Sequence, residues 1–383
     1  MTLAEILSNE ELRRHEFPVT RDKIFLAHAA VCPLPRRVAE AIRDYALKAT
    51  LGDQEEAMPE AQIRRARALA ARLLHGQAEE IAFVGPTSLA LSFVAGGLPW
   101  RKGDNLLVYF DDYPSNVYPW MALAEKGVEA RRLNCREYGR IDAADVIGQI
   151  DEQTRLVALA SNHFVAGYRV DLEAVGKALR DRNILFCVDG IQTVGAFPTS
   201  VEHIDFLAAD AHKWLLGPCG AGLFFVRKSL QAKLRPAVQG WHNIRCPNFV
   251  AQERLVFRPD AGRYEAGSAN LPGLAGLNAA MELLLEIGVE SIAARLLHLR
   301  ALLASALQEK GWTVLQADAP AQHASGIVSF YRPDADLPAL QKKLMAAGIE
   351  TSLRADRGGR HYIRVSPHFY NTDEEIHRLL EKL

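Results

Sequence analysis

The chain has 383 residues, 49% hydrophobic and 24% charged, which supplies a large core and length enough for two domains. Lys and Arg total 45 against 46 Asp and Glu, a formal net charge of -1 with both signs interspersed, so nothing in the charge draws the chain to nucleic acid or to an anionic membrane. The five cysteines, Cys32, Cys135, Cys187, Cys219 and Cys246, are odd in number and scattered, which argues against a disulfide framework and against a metal cluster and fits a reducing compartment.

The opening stretch MTLAEILSNEELRRHEFP is polar and amphipathic, without an apolar signal segment, and the later apolar runs are too short or interrupted to cross a bilayer. A cytoplasmic location is the default expectation. KIFLAHAAVCPLPRRVAEAIRDYALKA reads as an extended piece, a turn at Pro33 and Pro35, and an amphipathic helix. PEAQIRRARALAARLLHG reads as a helix closed by Gly76, leading into EIAFVG. Apolar runs then alternate with helix-length segments: IAFV, a helix from Ser88, NLLVYF, a helix from about Pro119 to Lys126, EARRLN, RLVALA, DLEAVGKALRDRN, ILFCVD, IDFLAAD and AGLFFV. Apolar strands separated by helices predict an α/β fold whose mostly parallel sheet is covered on both faces.

From Ser229 to Asn270 the chain is irregular and rich in Gly, Pro and aromatics, longer than a connection requires, and is expected to help form a site. Two helices follow, LPGLAGLNAAMELLLEIG and VESIAARLLHLRALLASALQEKG. The tail runs through GWTVLQ, GIVSFYR, the helix LPALQKKLMAAG, the strands IETSLRA and HYIRVSP, and the helix TDEEIHRLLEKL. The predicted organisation is an N-terminal segment, 1–20, packing on a small domain, a large domain, 21–287, and a small C-terminal α+β domain, 288–383.

In open parallel sheets ligands lie beyond the carboxyl ends of the strands, so FVGPTS, ALASNH, LFCVDGIQ and the stretch DFLAADAHKWLLGPCG carry the candidate chemistry. Asp189 follows four apolar residues, and a carboxylate there costs stability unless a cation or strong donors meet it. Its partner could be a protonated ring nitrogen of a cofactor, a neighbouring arginine, or simply the backbone N–H groups of its own turn. Lys213, between His212 and Trp214, is either a surface lysine at a strand edge or an amine desolvated for covalent chemistry.

Taken together with FLAHAA, GPTS, DDYPSNVYPW, SNH, VDGIQTVG, DAHKW, YEAGSAN and IRVSPHFYNTDEE, in that order along nearly the whole chain, these residues resemble the class V, fold-type I enzymes that use pyridoxal phosphate. That group includes cysteine desulfurases, selenocysteine lyases, isopenicillin N epimerase and several aminotransferases. The resemblance implies a seven-stranded large-domain sheet and a homodimer with shared active sites.

By the same resemblance Lys213 corresponds to the lysine that holds the cofactor as a Schiff base and moves the proton at the substrate's α carbon, and Asp189 to the partner of the pyridine nitrogen. Gln192 and Asn162 correspond to neighbours of the cofactor's phenolic oxygen, with Asn162 also near substrate. Gly85, Thr87, Ser88 and His212 correspond to the phosphate site, and Ser268 to a phosphate ligand reaching across a dimer interface. Tyr113 stands where many desulfurases place a ring-stacking histidine. It can stack but brings no imidazole. Asp210 replaces a phosphate-binding serine and is not expected to bind the anion. Arg364 corresponds to the arginine that binds the substrate α-carboxylate, for which its rigid fork of donors is suited. His28 and Ala29 lie where the family opens its substrate pocket.

Desulfurases carry a mobile cysteine before that arginine, but IETSLRADRGGRHYIRVSP contains none. Arg354, Arg357, Arg360 and His361 are instead candidates for recognising an anionic side chain or are simply solvated. The expected function is therefore a pyridoxal-phosphate enzyme acting on an amino acid, with a keto acid as possible second substrate and transamination narrowly preferred. Carbon–sulfur or carbon–selenium lyase, epimerase and a non-catalytic binding protein are the alternatives. A nucleotide-binding Rossmann enzyme is disfavoured because FVGPTSLA lacks the Gly-x-Gly-x-x-Gly turn.

Overall fold

The computed structural model describes residues 1–383. The apolar runs form strands: β1 (Ile24–Phe25), β2 (Ile81–Val84), β3 (Asn105–Val108), β4 (Glu129–Arg132), β5 (Thr154–Ala160), β6 (Leu185–Asp189), β7 (Phe206–Ala209) and β8 (Gly222–Val226), then, in the C-terminal region, β9 (Thr313–Val314), β10 (Val328–Tyr331), β11 (Ile349–Glu350), β12 (Ser352–Ala355) and β13 (His361–Val365). Seven of them make one sheet in the order β2-β8-β7-β6-β5-β3-β4. Only β8 runs against its neighbours, so the carboxyl ends of the other six open on one edge.

Side chains along a strand alternate between faces, and here both faces are dry. Leu107, Val157, Phe186, Leu207 and Phe225 enter one apolar cluster, whereas Leu106, Leu156, Cys187, Phe206 and Phe224 enter another on the opposite side. The edge strand β4, sequence EARR, has no fully buried residue, and its charges discourage further strand pairing.

Several helices start on a side-chain cap: Asp171 accepts the Ala174 N–H, Asn270 that of Gly273, and Thr372 forms a reciprocal capping box with Glu375. The helix Thr87–Gly97, entered from β2 through Pro86, has no such cap. Its first turn leaves donors available to an anion.

Helices Leu271–Ile287 and Val289–Glu309 meet at Gly288, whose φ of +87° breaks the helical path where the domain boundary is expected. Beyond it, β12-β13-β10-β9 form an antiparallel sheet over a third cluster. The N-terminal segment is bound to this part of the molecule: Arg13 Nη1 donates to Glu375 at 2.8 Å, and β1 pairs in parallel with β11. Ile24 and Leu26 lie in the small-domain cluster, so contact with that domain extends past the expected boundary at residue 20.

Candidate active site

The turn after β7 places Lys213. The buried carboxylate of Asp210 takes the N–H groups of Ala211, Gly220 and Ala221 at 2.8, 3.1 and 3.2 Å and holds His212 Nδ1 at 2.8 Å. Asp210 therefore closes the turn, and its lone pairs are spent on backbone donors. Its own N–H goes to Thr87 Oγ1 at 2.9 Å, joining this turn to the one after β2. Gly222 permits that junction, because a Cβ there would lie 2.5 Å from the Gly85 carbonyl oxygen. Leu216, buried and at φ +56°, holds a left-handed conformation three residues past the lysine.

A cavity of about 270 Å³ lies over these turns, lined among others by Ala29, Thr87, Ser88, Tyr113, His212 and Lys213. Asp189 and Ile191 enter it from the end of β6, and Arg354 and Arg364 from the small domain. A larger polar concavity of about 370 Å³ beside Glu173 and His203 contains neither the lysine nor either of these arginines.

Burial lowers the Lys213 amine to about 8, with Asp189 opposing the shift and Arg364 and Arg354 adding to it. Tyr113's ring centroid stands 5.2 Å from Lys213 Nζ. Asp189 is raised from the ordinary carboxylate value, first by burial, with Lys213 and the Ile191 N–H pulling the other way. It accepts that N–H at 3.1 Å, the backbone-turn role open from sequence, while facing the cavity as well. Behind it Asp112, unremarked from sequence, is pushed up to about 7, first by burial and then by Asp189. Asp112 accepts from Tyr113 N, Asn116 Nδ2 and Ala160 N at 2.7, 3.1 and 3.2 Å, fixing the loop that carries Tyr113. Its signal was available, since it too follows an apolar strand.

Arg364 is 1% exposed; it donates to the Phe164 carbonyl at 2.7 Å, while its Nε has no partner. Asn162 is fully buried beyond the end of β5, and neither polar atom of its carboxamide is bonded. Such orphaned groups are costly unless a ligand meets them.

Other expected residues stand differently. Gln192 spans the site's wall, donating to Ala29 O at 3.2 Å and accepting from Trp214 Nε1 at 2.8 Å. His28 is enclosed, with Nδ1 at 3.0 Å from Ser366 O and Nε2 at 2.7 Å from Tyr370 OH, and does not line the cavity. Gly85 contributes backbone only, and Ser268 lies exposed outside this chain's cavity. Among the basic loop residues, Arg357 pairs with Asp111 at 2.6 Å and Arg360 reaches Tyr331 OH at 3.3 Å, so Arg354 alone of the four candidates turns into the cavity.

A family model described as aminotransferase class-V matches residues 24–379. The chain belongs to this family. Within the class-V family it is 29% identical, over 98% of both chains, to a probable cysteine desulfurase of Methanothermobacter thermautotrophicus. It is 28% identical, over 97% of both, to the uncharacterized aminotransferase YcbU of Bacillus subtilis. The apo cysteine desulfurase of Thermococcus onnurineus superposes with a TM-score of 0.89 at 25% identity, covering 97% of this chain and 96% of that one. The cystine C-S lyase C-DES shares the fold, with a TM-score of 0.87 at 23% identity over 95% and 98% of the two chains.

The protein is thus a pyridoxal-phosphate enzyme of fold type I in the cysteine-desulfurase-like branch of class V. The narrow preference for a generic aminotransferase gives way here, because the relatives favour the desulfurase and lyase reading that stood as its alternative. The residues present fit the cofactor: a desolvated amine, a buried carboxylate and an uncapped helix start converge on one cavity, and the orphaned carboxamide of Asn162 lies buried beyond the end of β5. No helix is long and apolar enough to cross a membrane.

Proposed function

We propose that the protein is a carbon–sulfur lyase that removes the β-sulfur substituent of a cysteine-type amino acid and releases it without first capturing it on an enzyme thiol. The observation that carries this reading is the segment between β12 and β13, Asp356 to Arg360, which contains no cysteine although the chain is similar to a probable cysteine desulfurase. Cys32, beside the cavity-lining Val31, cannot substitute readily, because burial pushes its thiol up to about 12.

Pyridoxal phosphate, when bound, supplies a carbonyl to which amines attach and a ring that accepts electrons. Thr87, Ser88 and His212, with the start of helix Thr87–Gly97, would hold its phosphate. Asp189 would keep a proton on the ring nitrogen, with Tyr113 against the ring and Asn162 and Gln192 about its phenolic oxygen. Arg364 binds the substrate α-carboxylate, and Lys213, largely neutral above pH 8, takes the proton from the α carbon. The bond to sulfur then breaks with its electron pair leaving on sulfur, and the released 2-aminoacrylate hydrolyses to pyruvate and ammonia.

The same reading takes the active form to be a homodimer, supported by exposed Trp241, Phe249, Val250 and Leu255 in the irregular segment that leads to Ser268. Sedimentation at two concentrations, with Ser268→Ala scored for cofactor retention, tests it.

For the reaction, holoenzyme is incubated with cysteine, cystine or selenocysteine without keto acid, and products and cofactor spectrum are followed. Pyruvate and ammonia with an unchanged final spectrum are expected. Alanine with protein-bound sulfur would instead establish desulfurase chemistry, and stoichiometric conversion to the pyridoxamine form would establish transamination.

A further inference from the structure

The cavity is lined by two guanidiniums, one more than a single α-carboxylate requires. Arg354 and Arg364 lie on adjacent antiparallel strands, and the pairs Ser352↔Arg364 and Arg354↔Tyr362 put both guanidiniums on the same face of the sheet. Neither forms an ion pair with a carboxylate. Arg354 Nη1 donates to the Leu353 carbonyl at 2.8 Å, and Arg364 is held by the Phe164 carbonyl and by Ser352 Oγ at 3.4 Å. Burial lowers both below the ordinary arginine value, Arg364 well below, and the neighbouring charge that Arg364 feels most is Arg354 itself. Two like charges brought together out of water are costly unless anions join them.

The cavity's own acids do not fill that need. Asp189 faces Lys213, and Asp112 is satisfied by two donors of its own loop and by the Ala160 N–H at the end of β5. The cofactor's phosphate belongs at the uncapped helix start with Ser88 and His212. One amino-acid carboxylate occupies Arg364. Arg354 then remains, a half-exposed fork of donors at the mouth, for one further acidic group.

We infer that the substrate carries a second anionic group on its β-substituent, which Arg354 binds while Arg364 binds the α-carboxylate. Resting on the lyase reading, this makes the leaving group an acid-bearing sulfur species, such as a disulfide partner with its own carboxylate or a sulfonated thiol, and makes free cysteine a poor substrate. The electron pair of the broken carbon–sulfur bond leaves on that sulfur, and the extra acid is unchanged.

The test compares S-carboxymethylcysteine with its neutral isostere S-carbamoylmethylcysteine. Each is titrated into holoenzyme by the cofactor's absorption shift and by thermal stabilisation, in the wild type, Arg354→Gln and Arg354→Lys. The expected result is ~10- to 100-fold tighter binding of the acid than of the amide in the wild type, the range a charge-assisted pair at a partly buried site supplies. That ratio should collapse towards one in Arg354→Gln and survive in part in Arg354→Lys. An equal affinity for both ligands in the wild type, or a ratio unchanged in Arg354→Gln, overturns the inference. So does loss of cofactor affinity in Arg354→Gln, which would put the guanidinium on the phosphate. Pyruvate release is scored separately: preference for the acid without elimination leaves the Arg354 assignment standing and removes the lyase reading, whereas elimination without preference does the reverse.

Discussion

At the scale of single residues, the site works by setting protonation states against burial. Lys213 at about 8 is the residue through which Asp189 and the arginines act. The rate of cofactor attachment to apoprotein should rise with pH through about 8 and level off above it, since only the free amine attacks. Asp189 raises the amine's pKa, so Asp189→Asn should move this midpoint to lower pH; Arg354 lowers it, so Arg354→Gln should move it up. Stopped-flow absorbance across pH 6 to 10 reads both, and shifts in one common direction would refute the charge assignment. Lys213→Ala should abolish the borohydride-reducible attachment altogether, and an adduct mapped to another lysine would refute the covalent role. Much of this was legible because Asp189, Lys213, Thr87 and Arg364 occupy strand ends and matched motifs. His28 and Gln192 show the limit: their positions were legible, but whether a side chain faces ligand or braces the wall depends on partners such as Tyr370 and Trp214, distant in sequence.

At the scale of elements, the strand sequence was legible because buried parallel strands are apolar throughout, and the break at Gly288 because glycine alone takes its φ without strain. What was not legible is how turns interlock. Gly222 starts β8 like any strand residue, yet its missing side chain lets the β2 and β7 turns share a hydrogen bond. Gly222→Ala should displace the Gly85 carbonyl, destabilise the fold by ~1–3 kcal/mol and weaken phosphate-dependent cofactor retention more than a comparable cost elsewhere in β8. Denaturant melts with cofactor titration check this, and an unchanged cofactor affinity would refute the turn-coupling. The N-terminal helices offer a second case. Arg13 and Glu375, 5% and 6% exposed, form a buried pair between the chain's two ends. Arg13→Ala should cost ~3 kcal/mol by leaving the carboxylate with Asn371 and the Thr372 N–H alone. The double variant Arg13→Ala with Glu375→Ala should cost less than the sum of the two single losses.

At the scale of the whole molecule, the two domains are joined by bonds that cross at the site. Arg364 reaches Phe164 O, Ser329 Oγ donates to Val165 O at 2.6 Å, and His368 Nε2 donates to Trp214 O at 3.1 Å, next in sequence to Lys213. His368 Nδ1 accepts the Phe369 N–H at 2.9 Å, so the neutral ring is satisfied at both nitrogens and a second proton would face a donor. Burial accordingly lowers His368 from 6.5 to about 4, and His163, bonded to Asp111 O and Ala166 N, falls likewise to about 4. The unfolded chain takes up these protons near pH 6.5 and the folded chain only near 4, so each histidine's contribution is present above that window and is lost as pH falls through it. Raised Asp112 acts oppositely, favouring the folded state on acidification from about 7, which masks the effect in the wild type alone. The difference between wild type and His368→Gln removes that common term. Between pH 6.5 and 4 the wild type should lose up to ~3 kcal/mol more than the variant, at about 1.4 kcal/mol per pH unit. Urea melts at both pH values measure this, and parallel losses would mean that His368 does not carry the domain junction's acid sensitivity. Because the junction ends on Trp214, the same acidification should loosen the lysine's wall before global unfolding, read as earlier cofactor release in the wild type than in His368→Gln when each is compared at equal global stability.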